Sequence, residues 1–369
     1  MEKLKTFFHK EPVLSIAAAA ALLSMLLVPP SAAYLGYIDV RVLCLLFCLM
    51  AVVLGFRSCG LFTALAGKLL SGCRSLRKLA FLLVMLPFFS SMLVTNDVAL
   101  ITFVPFAILV LSLVGRRDML IRVVTLQTVA ANLGSMATPV GNPQNLFLYA
   151  AYDLSAGAFF AAVLPLTAAS FLLLALAMLW IPKAEIRVEL EEGEKLRMGV
   201  PLVAYGVLFV LCLLSVFRVL PYYVLTVIVA AAMFALDRRL LKQVDYGLLV
   251  TFVCFFVFAG NMGELAPVRA LLTDLLSRSA LFSSALASQV ISNVPAAVLL
   301  SGFTEDWKGL LLGVNVGGLG TLIASLASLI SFRFYAAEQD SRAGKYLLVF
   351  TAVNLVCLVL LLLVSLLAI

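Results

Sequence analysis

Apolar runs recur along the whole chain, and each is about as long as the 17 to 25 residues that an α-helix needs to cross a bilayer. The composition agrees with this, because 64% of the residues are hydrophobic and 12% are charged. In hydrocarbon the backbone has to satisfy its own hydrogen bonds, which a helix does within one segment. We therefore predict an all-α polytopic membrane protein with no separate soluble domain.

The predicted spans fall into two halves with the same order of elements, separated by a cytoplasmic loop and a linking helix at 182–220. The first half, 1–181, comprises helices at 12–29 and 40–56, a helical hairpin at 79–115, a broken helix at 119–151 and a helix at 155–181. The second half, 221–369, comprises helices at 221–236 and 245–260, a hairpin at 264–303, a broken helix at 309–335 and a helix at 346–368.

Two polar sets interrupt the apolar runs, and they come in the same order in both halves. The first is Thr95-Asn96-Asp97 with Asn132-Leu133-Gly134-Ser135-Met136-Ala137-Thr138, and the second is Ser292-Asn293-Val294-Pro295 with Asn315-Val316-Gly317-Gly318-Leu319-Gly320-Thr321. Polar groups are costly in hydrocarbon and usually mark a site or a pathway there. A single residue of this kind is more often a contact between helices. The ordered repetition instead predicts duplicated halves that build one site between them.

The basic residues predict the orientation of the chain. We take the segments centred on Asn96 and Asn293 as re-entrant hairpins and place the amino terminus in the cytoplasm. All but five of the 26 basic residues then lie on the cytoplasmic side, as the positive-inside bias requires. The five are Arg41, Arg218, Arg269, Arg278 and Lys308. The first hairpin then opens to the cytoplasm and the second to the exterior, so the repeats are inverted and the carboxy terminus is external.

Hairpin tips and broken helices leave backbone groups free to bind ions. Helix amino-terminal ends present N–H groups and partial positive charge, which suit an anion. Carbonyls freed at helix carboxy-terminal ends suit Na⁺, so a Na⁺ ion is expected near Asn96 and Asn293. Gly141 and Gly317 permit the unwound backbone that the interruptions need.

Asp97 is the acidic residue that the predicted topology places near mid-membrane. A carboxylate there either carries a proton, helps to bind Na⁺, or accepts structural hydrogen bonds from its neighbours. Val294 occupies the matching position of the second half, so charge chemistry at the two tips is asymmetric.

The motifs resemble a known group of transporters. Thr95-Asn96-Asp97-Val98-Ala99-Leu100 and Ser292-Asn293-Val294-Pro295-Ala296 are similar to the paired motifs of the ion transporter superfamily, and Thr138 to Asn145 is similar to the segment after its first hairpin. That group includes arsenite permeases, sodium/proton antiporters, citrate transporters and divalent anion/sodium symporters. The resemblance implies an elevator mechanism and a homodimer.

The resemblance also implies which residues bind. Thr95, Asn96, Ser292 and Asn293 would be ligands at the tips, and Thr138, Asn142, Thr321 and Ser325 would face the same site from the broken helices. This chain departs from the sodium-coupled anion symporters, which usually carry Ser-Asn-Thr at both tips. The aspartate is more like the arsenite and proton-linked branches.

The favoured function is a secondary active transporter for a small anion, a di- or tricarboxylate, coupled to Na⁺ or H⁺. The alternative is an arsenite-type or Na⁺/H⁺ exchanger in which Asp97 titrates. A channel fits less well with inverted hairpins around a shared site. An intramembrane enzyme would need a nucleophile with a base, paired aspartates or a metal cluster, and the sequence shows none of these.

The predicted partners are the lipid bilayer and the transported ions. No cofactor is expected beyond co-transported Na⁺ or H⁺, and no nucleic acid, because the basic residues lie in short loops between spans. We predict a multi-pass protein of the cytoplasmic membrane of a prokaryote.

Overall fold

The computed structural model describes residues 12–70, 72–186 and 199–368. The described residues form helices joined by short loops, and their single β contact is an isolated bridge between Ser75 and Glu185. The all-α prediction is therefore confirmed. The amino-terminal tail and most of the predicted cytoplasmic loop after residue 182 lie outside the described residues.

The first half contains nine of the described α-helices, here numbered in chain order. They are α1 Pro12–Leu27, α2 Tyr34–Tyr37, α3 Val40–Ser58, α4 Leu61–Leu70, α5 Leu76–Ser90, α6 Asn96–Leu113, α7 Leu120–Ser135, α8 Pro143–Ala151 and α9 Ala156–Ala177.

The remaining described helices run from the linking helix to the carboxy-terminal end. They are α10 Val200–Val216, α11 Tyr222–Leu241, α12 Tyr246–Glu264, α13 Ala266–Arg278, α14 Ala280–Ile291, α15 Asn293–Leu300, α16 Trp307–Val316, α17 Leu326–Ala336 and α18 Ala343–Ala368.

Five described helices are long and apolar enough to cross a membrane by length and composition. They are Val40–Ser58, Asn96–Leu113, Ala156–Trp180, Tyr246–Glu264 and Ala343–Leu367. Large apolar side chains such as Leu26, Val200 and Leu367 are exposed on the outer helices. A contiguous apolar exterior is unfavourable in water and suits a lipid environment.

The second hairpin differs from its predicted extent of 264–303. Three helices lie in this range, because Ser279 ends α13 and caps α14 by accepting a hydrogen bond from the Phe282 N–H at 3.2 Å. Most of α13 is exposed and carries Arg269, Asp274 and Arg278. The arms of the hairpin are therefore α14 and α15, and α13 lies outside it.

The two broken helices occupy the centre of the molecule. In α7 every residue from Val123 to Ser135 is buried, and in α16 every residue from Gly309 to Val316 is buried. Helix α7 packs against both arms of the first hairpin, and α16 packs against both arms of the second. Each broken helix is thus held by the hairpin of its own half.

Glycines allow these close approaches. A Cβ on Gly134 would collide with the backbone carbonyl of Phe88 in α5, and a Cβ on Gly317 would come within 2.8 Å of Cα of Ala285 in α14. Since backbone atoms are on the opposing side, no side-chain rotation relieves either collision.

We expect Gly134→Ala to lower the free energy of unfolding by about 1–3 kcal/mol, because the added methyl group forces α5 and α7 apart. Gly206→Ala in α10 is the matched control, since its Cβ would meet nothing within 4 Å. That control should be neutral or stabilising, because Ala has the higher helix propensity. Thermal unfolding of the purified protein compares the two, and equal Tm values would contradict the packing described here.

Candidate functional site

The two hairpin tips have the same local structure. The Asn96 N–H donates to the carbonyl of Gly141 at 3.2 Å, and the Asn293 N–H donates to the carbonyl of Ala324 at 3.0 Å. Each asparagine Oδ1 also accepts from the next N–H, that of Asp97 at 3.1 Å and that of Val294 at 2.9 Å. Each tip is therefore tied to the broken helix of its own half.

A second pair of contacts repeats in the same way. The Thr138 hydroxyl donates to the Met92 carbonyl at 2.5 Å, and the Thr321 hydroxyl donates to the Gln289 carbonyl at 3.2 Å. Both threonines lie in the loop of a broken helix, and both acceptors lie just before a hairpin tip. The two halves thus share contacts as well as motifs.

The loops of the broken helices end at polar residues. Asn142 caps α8 by accepting from the Asn145 N–H at 2.8 Å, and Pro143 follows at the first helical position. Ser325 is the residue before α17, but its side chain does not cap that helix. The Ser325 hydroxyl is used instead for a contact with the other half.

Asn132 joins the two halves. Its Oδ1 accepts from Nδ2 of Asn96 at 2.9 Å and from the Ser325 hydroxyl at 3.0 Å. Its own Nδ2 is buried and has no hydrogen-bond partner among the described residues. A buried donor without a protein partner is available to a ligand or to water.

Asn315 makes the reciprocal connection. Its Oδ1 accepts from Nδ2 of Asn142 at 3.1 Å, and its Nδ2 donates to Oδ1 of Asn145 at 2.6 Å. The Asn132–Ser325 bond and the Asn315–Asn142 bond are thus equivalent. Each joins the first helix of one broken helix to the loop of the other broken helix. The structure brings these predicted site residues, with Asn96, into one buried network.

The remaining predicted site residues lie at the edge of this network. Asp97 is half-buried in the first turn of α6, and its carboxylate makes no hydrogen bond or ion pair with the described residues. Thr95 is half-buried beside it. Asn293 is buried, with its amide against Gly318. Gly141 and Gly317 contribute backbone only.

The second tip also borders an apolar cavity of about 370 Å³. Ser292 and Ser325 line one side of it, and side chains of α1 and α12 line the other. Ser292 has a φ of 72°, a left-handed conformation that is uncommon outside glycine and often accompanies a functional constraint. The cavity gives the second tip open space beside α1 and α12.

Sequence reasoning missed three amides that hold the site together. Gln289 donates to the carbonyls of Gly317 and Leu319, and its Oε1 accepts from the Thr321 N–H. Gln127 of α7 donates to one carbonyl on each arm of the first hairpin. Oδ1 of Asn145 accepts a hydrogen bond from Nδ2 of Asn315. The available signal was an amide side chain inside an apolar helix, which is costly unless it is paired.

No group of three or more His, Cys, Asp or Glu side chains able to hold a metal ion occurs in the parts of the chain that the structure describes. The oxygens near the tips are amide, hydroxyl and backbone carbonyl groups, with one carboxylate at Asp97. These are hard ligands, which suit an alkali cation better than a transition metal.

Comparison with known proteins identifies the family. A family model described as "Citrate transporter" matches residues 5–304, which include both hairpin tips and the first broken helix. The chain belongs to the citrate transporter family. The resemblance to the ion transporter superfamily is thereby confirmed, and the protein is a multi-pass membrane transporter of this family.

Two curated relatives agree with membership of the citrate transporter family. The chain is 32% identical over 307 residues to the uncharacterised transporter MJ0456 of Methanocaldococcus jannaschii, covering 82% of this chain and 83% of that protein. It is also 32% identical over 289 residues to the inner membrane protein YbiR of Escherichia coli, covering 77% of each.

We expect Asn315→Ala to lower the free energy of unfolding by about 1–3 kcal/mol, because it removes the acceptor of one Asn142 Nδ2 hydrogen bond and the donor to Asn145 Oδ1. Asn354→Ala is the matched control, since that amide is equally buried but donates only within its own helix, to Phe350. A double-mutant cycle of Asn315→Ala with Asn142→Ala should show coupling of about 0.5–3 kcal/mol. Additive effects would mean that the two halves are not held together here.

Proposed function

We propose that this protein is a secondary active transporter for a small anion, a di- or tricarboxylate, coupled to Na⁺ or H⁺. The observation that carries the proposal is the reciprocal pairing of Asn132 with Ser325 and of Asn142 with Asn315. Each pair joins one half to the other at the hairpin tips. A substrate bound there contacts both halves at once, as alternating access requires.

The geometry supports an anion as the substrate. Helices α6, α8, α15 and α17 all begin at or beside the shared network, at Asn96, Pro143, Asn293 and Leu326. Their amino-terminal ends carry partial positive charge, although the first N–H groups of α6 and α15 are already bonded within the protein. Since no Lys or Arg lies at either tip, a carboxylate substrate would be held by helix ends, amides and a co-bound cation near Asn96 and Asn293.

Contacts between loops support an inverted arrangement of the two halves. Arg117 forms an ion pair with Glu338, and both belong to loops assigned to the cytoplasm. The Tyr152 hydroxyl donates to the carbonyls of Ser301 at 3.0 Å and Thr304 at 2.8 Å, and all three belong to loops assigned to the exterior. Loops assigned to one side therefore meet each other.

The arrangement also supports an elevator motion. Hairpins and broken helices would form the moving transport domain, and the aliphatic helices α1, α3, α10 and α11 would form a scaffold within a homodimer. We place the protein in the cytoplasmic membrane of a prokaryote, with its amino terminus inside and its carboxy terminus outside.

The first test is the thermal stability of the purified protein with succinate, citrate and related anions, each in Na⁺ and in choline at two pH values. A ligand that binds only the folded state stabilises that state and raises the Tm. At a ligand concentration of 100 times its Kd, the free energy of unfolding rises by about 2.7 kcal/mol. We expect one dicarboxylate or tricarboxylate to stabilise the protein, with a larger shift when the coupling ion is present.

The control for this test is the Asn132→Ala variant, which removes the central amide. It should unfold cooperatively, and the Tm shift caused by the anion should disappear. If no organic anion shifts the Tm of the unmodified protein, the substrate assignment is wrong.

A second candidate function follows from Asp97, whose half-buried carboxylate faces no basic partner among the described residues. In an arsenite-type or Na⁺/H⁺ exchanger this group would bind and release the proton. The exchanger predicts that Asp97→Asn abolishes Na⁺-driven proton flux in proteoliposomes, while Asp274→Asn, in the exposed helix α13, does not. Flux that survives Asp97→Asn would remove this candidate.

A further inference from the structure

One face of α7 carries a line of buried polar side chains that leads away from the central amides. Thr125, Thr128, Asn132 and Ser135 are three to four residues apart and therefore share a face of the helix. All four are buried. Thr128 donates to the Val124 carbonyl at 2.8 Å, and Ser135 donates to the Asn132 carbonyl at 2.9 Å. The Thr125 hydroxyl has no partner among the described residues.

Helix α17 presents a similar line on the facing side. It begins beside Ser325, which bonds to Asn132, and runs back along α7 toward the end of the bundle where Arg117 pairs with Glu338. Ser328 and Tyr335 lie two turns apart on one face of this helix. The Ser328 side chain is fully buried, and its hydroxyl also has no partner among the described residues.

Tyr346, in the first turn of α18, closes the space between these helices. Its ring stacks on Tyr335 with the ring centres 4.7 Å apart and lies 5.6 Å from the ring of Phe332. Its hydroxyl faces Thr125 and Thr128 without a hydrogen bond of good geometry to either. Three helices that pack together thus each carry a buried hydroxyl without a hydrogen-bond partner, and the region between them is here called the α7/α17/α18 seam.

The unpaired state of these hydroxyls is unusual for a membrane helix. Ser and Thr side chains usually bond back to a carbonyl of their own helix, and Thr128, Thr167, Ser170 and Ser331 do so here. Thr125 and Ser328 do not. A buried hydroxyl without a protein partner is costly, and buried water is the usual partner of such groups.

We propose that ordered water fills the α7/α17/α18 seam and forms a hydrogen-bonded path for protons. The path runs from the end of the bundle near Tyr335, past Tyr346, Thr125 and Ser328, to a water that accepts a hydrogen bond from the unpaired Nδ2 of Asn132. Thr125 and Asn132 are about 10 Å apart along α7, which a few waters span. Each hydroxyl or water accepts one proton and releases another, so no group changes its charge permanently.

The proposed path ends close to the first hairpin tip. Asn132 accepts a hydrogen bond from Asn96, and Asp97 follows Asn96 in the first turn of α6. A proton that reaches this end of the seam is therefore one hydrogen-bonded residue, Asn96, away from the helical turn that carries Asp97. The proton-conducting role rests on the proposed function, whereas the presence of water in the seam does not.

The first experiment measures water directly in the unmodified protein. X-ray radiolysis produces hydroxyl radicals from bound water, and these radicals oxidise side chains next to it. Tyr346 should be oxidised several-fold faster than Tyr205, a tyrosine of α10 that is also at least 98% buried but lies outside the seam. Mass spectrometry of the peptides separates the two sites. Equal oxidation rates would overturn the proposal.

The second experiment tests proton conduction in proteoliposomes that contain a pH-sensitive dye, with a citrate gradient as the driving force. Ser328→Ala should slow the pH change several-fold. Ser331→Ala should not, because that equally buried hydroxyl already bonds to Ala327 in the same helix. Both variants should keep the citrate-induced Tm shift of the unmodified protein.

The outcomes separate this proposal from the proposed function. Rapid oxidation of Tyr346 with equal pH changes in the two serine variants would leave the water in place and overturn the conducting role. A protein that responds to none of the organic anions tested would count against the proposed function, while the oxidation of Tyr346 would still decide whether the seam is hydrated.

Discussion

Backbone groups that lose their helical partners inside a membrane have to find others within the protein, and this requirement organises the centre of the molecule. Two hairpins and two broken helices each interrupt a helix where water is scarce. At the hairpin tips this requirement is met by nearby groups, since the N–H groups of Asn96 and Asn293 bond to carbonyls in the loops of the broken helices. The loops depend in turn on Asn142, Gln289 and Thr321. The polar site is therefore also the structural centre.

The two halves depend on each other through the same groups. Oδ1 of Asn132 accepts one hydrogen bond from Asn96 of its own half and one from Ser325 of the other half. The Asn315 side chain bonds to residues of the first half and to a carbonyl of its own helix. A motion that separates the halves breaks these bonds and leaves Oδ1 of Asn315 and the Ser325 hydroxyl without a partner. Movement of the hairpins and broken helices as one unit preserves them, which is consistent with an elevator.

The differences between the halves are as informative as the similarities. Asp97 has Val294 as its counterpart, and Asn142, which caps its helix, has Ser325, which does not. Ser292 at the second tip borders the cavity beside α1 and α12, and the first tip carries the carboxylate of Asp97. One tip thus has an acidic group and the other has open space beside it. A nearly symmetric scaffold in this way has two chemically different ends.

The sequence by itself determined the all-α membrane class, the family, and the positions of the polar groups, because hydrophobic length and buried polarity are local properties of the chain. It also placed both asparagines at the centres of the two hairpins. Only the tertiary structure decided that Asn132 pairs with Ser325 and that Gln289 holds the second loop, since such choices depend on which helix faces come together. For the same reason the sequence did not reveal that α13 ends at Ser279 and lies outside the hairpin. It also did not reveal that the Tyr346 hydroxyl lies beside α7, because this requires three helices to pack together.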